Sequence, residues 1–153
     1  MASQHHRLSR YGPLVLWAAL IFIASTSLLS GSNTSTILRP AVLLLFPNTT
    51  EATLNLVQFF VRKAGHLTEY AIFALLAARA FRTSSHDGLR NHWFATSLLL
   101  VALYSLSDEF HQSFVPSRTP SIYDSMIDTF GGLIALAVIV VRKRRGVVGQ
   151  RQS

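Results

Sequence analysis

Four apolar stretches, at about 11–31, 63–81, 92–113 and 121–141, each approach the length of helix that crosses a bilayer. A span needs about 20 predominantly apolar residues at ~1.5 Å rise each. Only 14% of the 153 residues are charged, whereas a soluble domain carries about a quarter. The sequence therefore predicts a single all-α domain over residues 1–153, a polytopic membrane protein with four transmembrane helices. A competing reading takes the first stretch, with its basic start and small residues after the apolar run, as a cleaved signal peptide that would leave three spans. The length of that run favours a retained helix. The chain has no cysteine, which removes thiol redox chemistry and thiolate metal sites.

The net charge of +7 is distributed in a way that argues against nucleic-acid binding. Arg7 and Arg10 precede the first span, and Arg79, Arg82 and Arg90 surround the link between the second and third. Arg142, Lys143, Arg144 and Arg145 follow the fourth. In a four-span chain these groups fall on one side, while the loops 32–62 and 114–120 are poorer in basic residues. The positive-inside rule then places both termini in the cytoplasm. The basic tail, 142–153, reads first as a topology anchor and second as a contact for anionic lipid heads.

In the first outer loop the run 37–46, "ILRPAVLLLF", is apolar but too short to cross, and fits an interfacial or re-entrant piece. Pro47 ends it. Asn48 and Glu51 have capping-box spacing, so the second helix is expected from near Thr49 to about Phe81. Such a helix is roughly 50 Å long and must project outward or bend, with Gly65 as a candidate bend.

The polar residues of the spans converge. Lys63, His66, Glu69 and Tyr70 lie in the outer half of the second helix, three or four residues apart. Ser105, Asp108, Glu109 and Gln112 close the third helix, and Asp124 and Asp128 open the fourth. The arginines alone set the topology, yet it brings all three groups to one outer level. Five of the chain's seven acids are there, with Arg118 in the following link as a natural counter-ion. Gly131 and Gly132 would let the fourth helix approach a neighbour closely.

An ionised acid at the centre of a membrane helix costs at least ~2.5–3.5 kcal/mol, so these acids are expected to face one another, the cations or a water-filled cleft. Several readings follow. A packing network would pair His66 with Glu109 or Arg118 with Asp124. An outward-facing cleft would recognise an amphiphile, with loop 32–56 as a lid over its acyl chains. An enzyme would use the acids and His66 for acid–base chemistry, or would hold a divalent metal with His66, Glu69, Asp108, Glu109 and Asp128. No cofactor is otherwise expected. A proton-coupled transporter is disfavoured by four spans without inverted repeats. His111 could join the cleft or mark its boundary beside Phe110 and Phe114.

The segments "KAGHLTEYAIFALL" and "SDEFHQSFVPSRTPSIYDSMIDTFGG", with "IFIASTSLLSG" in the first span, resemble the VanZ-like family of small bacterial membrane proteins. The resemblance covers about residues 14–141. It rests on Lys63, His66, Glu69 and Tyr70, then Asp108, Glu109 and Gln112, then Pro116, Arg118, Asp124, Asp128 and Gly131. Ser117 departs from the family's expected glycine in the proline-arginine turn, and Asp128 stands where asparagine is common. The resemblance implies a multi-pass protein of the bacterial cytoplasmic membrane with a cell-envelope role. The family's named member is associated with lowered sensitivity to the glycopeptide teicoplanin. The partners so implied are membrane lipids and a lipid-linked or glycopeptide ligand.

Overall fold

A computed structural model describes residues 2–26, 31–116 and 120–149. Six helices carry nearly all of them: α1 (Ala2–Ala24), α2 (Gly31–Leu45), α3 (Glu51–Arg82), α4 (Asp87–Asn91), α5 (Trp93–Gln112) and α6 (Ile122–Gly149). The all-α expectation holds. Two helices are long and apolar enough to cross a membrane, α1 over Arg7–Ala24 and α6 over Ile122–Arg145. α3 and α5 have the length, but α3 carries Arg62, Lys63 and Glu69, and α5 ends on Asp108 and Glu109.

Several boundaries differ from expectation. α1 stops at Ala24, short of 31, and α2 already begins at Gly31. The short apolar run is thus the second half of a 15-residue helix. α3 starts at Glu51, and its N-cap is Thr50, whose side chain accepts from the Thr53 amide; Asn48 is not the cap. Thr50 is extended and immediately precedes the first helical residue, as a cap must. α6 continues past 141, so the basic residues 142–145 extend the helix.

α3, α5 and α6 form the core, with α6 parallel to α3 and α5 antiparallel to both. Paired contacts fix these directions. Lys63 meets Asp124 and His66 meets Asp128 between α3 and α6. Phe73 stacks on Tyr104 at 4.9 Å between α3 and α5. α1 leans on this core through three bonds: Trp17 Nε1 donates to the Glu69 carbonyl (2.9 Å), Tyr104 Oη to the Ala18 carbonyl (2.6 Å), and Tyr11 Oη to Ser84 Oγ (2.9 Å). α2 folds back on the start of α3, joined by an Arg39–Glu51 ion pair, with Leu54 buried beneath it.

α3 gives the core its apolar part, through Phe73, Ala74, Ala77 and Ala78, whereas α5 and the first turns of α6 bury polar residues and expose apolar ones. The buried residues of α5 are Ser97, Val101, Ser105, Asp108, Glu109 and Gln112, all polar but Val101. They recur every three or four residues and so define one inward stripe. Leu99, Leu103, Leu106 and Phe110, on the other side of the same helix, are exposed. α6 repeats the arrangement, with Asp124, Ser125 and Asp128 inside and Met126, Phe130, Ile134 and Val138 outside. Such an exterior suits a hydrocarbon surrounding, which would offer exposed polar groups no partner.

Glycine sets the closest approach. A Cβ on Gly131 would lie 2.6 Å from the Leu67 carbonyl oxygen, and one on Gly132 would lie 2.8 Å from Val101 Cγ1. The expected tight approach of α6 is therefore real, onto α3 at Gly131 and onto α5 at Gly132.

Candidate functional site

The polar groups of α3, α5 and α6 meet at one end of the bundle. On α6, Asp124 pairs with Lys63, and Arg62 Nη2 stands 3.9 Å from its other oxygen. One turn further in, the fully buried Asp128 faces His66, with Nδ1 to Oδ1 at 3.5 Å. That is an electrostatic contact longer than a good hydrogen bond. On α5, Gln112 Nε2 donates to Asp108 Oδ2 at 3.0 Å, a pairing of residues four apart. Glu109 Oε2 accepts the Ser121 amide at 2.7 Å, so the carboxylate ties α5 to the N-terminal end of α6. Helix N-termini carry unsatisfied amides and a positive dipole end, which is why an acid settles there.

Below this level the two helices are clasped reciprocally. Ser105 Oγ donates to the Ser125 carbonyl (3.3 Å), Ser125 Oγ donates to the Ser105 carbonyl (3.1 Å), and Thr129 Oγ1 lies 3.3 Å from Ser105 Oγ. The clasp fixes the register in which Glu109 reaches Ser121.

Tyr70, fully buried on α3, stands within electrostatic reach of Asp108 and Asp128. Its hydroxyl, Asp108 Oδ1, Glu109 Oε1 and both oxygens of Asp128 are buried and make no well-formed hydrogen bond with a described residue, although Tyr70 lies by Asp108 and Asp128 Oδ1 faces His66. Each such atom costs about 1–3 kcal/mol, more when charged, so five together form a strongly unsatisfied interior. Among the described residues, no group of three or more His, Asp and Glu is arranged to hold a metal ion.

Of the residues expected at the site, Lys63, His66, Tyr70, Asp108, Glu109, Gln112, Asp124 and Asp128 are brought together. Glu69 is half-buried on α3, interacting electrostatically with His66. Arg118 and Ser117 lie outside the described residues. The His66–Glu109 pair expected for a packing network is replaced: His66 faces Asp128, and Glu109 takes the Ser121 amide. Asp124 takes Lys63 and Arg62, while its expected pairing with Arg118 lies outside the described residues. His111 stacks on Phe22 of α1, ring centres 4.4 Å apart, at the edge of the cluster. Sequence reasoning missed Arg62, Ser121 and Ser125. Arg62 had a visible signal, since it precedes Lys63 and shares its reach; a backbone amide has none.

The sequence profile of the VanZ/LLP1 family matches residues 11–143, which include every one of these side chains. The chain belongs to the VanZ/LLP1 family. No curated protein and no solved structure shows significant similarity to it. Family membership together with the two apolar helices makes this VanZ/LLP1 chain a membrane protein.

Proposed function

We propose that this VanZ/LLP1 protein spans the bacterial cytoplasmic membrane four times, with α1, α3, α5 and α6, both ends in the cytoplasm, and that its acidic site recognises the headgroup of an amphiphilic envelope ligand. Positive-inside topology supports the orientation: Arg10, Arg79, Arg82, Arg90 and the cations at 142–145 lie at the end of the bundle opposite the acids. The observation that carries the reading is the cluster of buried Asp128, Asp108, Glu109 and Tyr70 atoms with no well-formed hydrogen bond to a described residue. Packing alone supplies no reason for them, whereas a ligand that brings donors does. Reduced sensitivity to teicoplanin-type glycopeptides is the activity to test first, because such compounds are amphiphiles acting at the outer face.

The test compares teicoplanin with vancomycin in a sensitive Gram-positive host carrying empty vector, wild type or Glu109→Gln, at matched membrane abundance. Selective protection by wild type and its loss in the variant is the expected result. Equal protection by both would remove the site from the activity. Failure of both would detach the antibiotic from this protein.

The His66–Asp128 contact favours a second reading, a membrane-embedded acid–base enzyme acting on a lipid or lipid-linked substrate. Incubating the purified protein with an envelope lipid extract and following the lipid species by mass spectrometry separates the two. Recognition leaves the species unchanged, and an enzyme converts one of them.

A further inference from the structure

We propose that the headgroup this site takes is a zwitterion: a primary ammonium among Asp108, Glu109 and Asp128, carried on a phosphodiester that rests against Arg62 and Lys63. This rests on the amphiphile-recognition reading above and names its ligand class.

The unpartnered atoms decide the inner half. His66 Nδ1 faces Asp128 Oδ1 at 3.5 Å, which leaves Asp128 Oδ2, Asp108 Oδ1 and Glu109 Oε1 as acceptors that meet no donor among the described residues, so a bound group must donate. A phosphate or carboxylate placed there would add acceptors and negative charge, and a sugar hydroxyl would leave the charge uncompensated. A primary ammonium brings three N–H donors and one positive charge. A quaternary ammonium brings the charge but no donor. The Tyr70 hydroxyl adds a neutral oxygen to the same group. It is fully buried, within hydrogen-bond reach of Asp108 and near Asp128, and its acceptor lone pairs meet no donor among the described residues. It accepts from an ammonium N–H while donating to a carboxylate, a dual role that neither phenylalanine nor a cation fills.

Charge decides the outer half. Asp108, Glu109 and Asp128 are each at most 7% exposed, and His66 is the imidazole facing them. At Asp124 the balance reverses, since one carboxylate stands between Lys63 and Arg62. The Arg62 side chain is 30% exposed and its contact is loose at 3.9 Å, so its guanidinium retains donors for an incoming phosphate. A negative inner subsite and a positive outer one are thus separated by the single turn from Asp128 to Asp124, about 6 Å along α6. A two-carbon aminoalkyl phosphodiester bridges a comparable distance, with its amine inward and its acyl chains toward the apolar exterior.

The experiment uses full-length protein purified in detergent and native mass spectrometry of bound lipid. Phosphatidylethanolamine, phosphatidylcholine and phosphatidylglycerol of equal chain length compete for the protein, with soluble glycerophosphoethanolamine as a separate competitor. The expected result is preference for phosphatidylethanolamine over phosphatidylcholine by about tenfold or more, the worth of one charge-assisted hydrogen bond. Tyr70→Phe narrows that preference. Arg62→Gln, a part-exposed position chosen in case Asp128→Asn does not fold, weakens both zwitterionic lipids. Competition by glycerophosphoethanolamine as strong as that of the lipid would support the same chemistry and assign it to a soluble source. Site-dependent binding with equal affinity for ethanolamine and choline heads would overturn the zwitterion-donor inference and leave amphiphile recognition standing. Absence of binding, or binding unmoved by Arg62→Gln and Asp128→Asn, would sink both.

Discussion

Replacing Gly131 by alanine tests the packing that assembles the site. The added Cβ would sit 2.6 Å from the backbone oxygen of Leu67, in the middle of α3. A tolerable C···O separation is about 3.3 Å, so the helices must part by about 0.7 Å. A carbonyl within a helix cannot swing aside as a side-chain tip would, and α6 therefore has to move. Overpacking of this kind costs ~1–3 kcal/mol. Alanine also raises helix propensity by about 0.5–1 kcal/mol over glycine, which would mask part of the loss. Gly65→Ala supplies the reference: it lies on α3, nothing stands within 4 Å of its added Cβ, and it receives the propensity gain alone. The difference between the two variants isolates the clash. We expect Gly131→Ala to be less stable than Gly65→Ala by about 1–3 kcal/mol in reversible unfolding in mixed micelles. Asp128 is three residues away on α6, so ligand binding should fall in the same variant. Equal stability of the two variants would refute the close approach of α6 and α3, and with it the geometry of His66 and Asp128.

The remaining predictions concern individual bonds. Ser105→Ala and Ser125→Ala should each cost about 0.6 kcal/mol, up to ~1.7, the range for interhelical bonds in membranes. The double variant should lose less than the sum, and strict additivity in the same unfolding assay would argue against a reciprocal clasp. Lys63→Met should depress membrane abundance by leaving Asp124, among the described residues, with the loose Arg62 contact. Adding Asp124→Leu should restore abundance, because removing both members of a buried pair is far milder than removing one. Thr50→Ala should cost ~1 kcal/mol of α3 stability through loss of its cap, read as faster amide exchange in the first turn. Tyr104→Phe should loosen α1, seen as increased proteolysis between α1 and α2 with the α3–α5–α6 core retained.

The features legible in the sequence were those that depend on spacing along one helix. Span length announced α1, α3, α5 and α6, and intervals of three and four residues announced the polar faces, because helical geometry converts spacing directly into direction. The glycine pair at 131 and 132 was equally readable, since only a missing side chain permits such contact. What escaped depended on register between helices. Glu109 meets Ser121, and Ser105 meets Ser125, through an antiparallel offset that no single-helix pattern encodes. The partner of Glu109 is moreover a main-chain amide, which every residue but proline carries and none advertises. The cap was misplaced because Asn48 and Thr50 both suit the role, and the choice falls to where α2 releases the chain after Leu45.

The parallel contact of α3 with α6 has a consequence for biosynthesis. α3 emerges from the ribosome carrying Arg62, Lys63 and His66, yet the acids they face, Asp124 and Asp128, lie on α6, which is made after both α3 and α5. Until α6 is made, these cations lack the carboxylates that the folded bundle sets against them, and Glu109 of α5 lacks the Ser121 amide. A chain stalled before α6 would thus present an incomplete charge pattern. The arrival of α6 is in this sense the step that completes the charge pairing of the core.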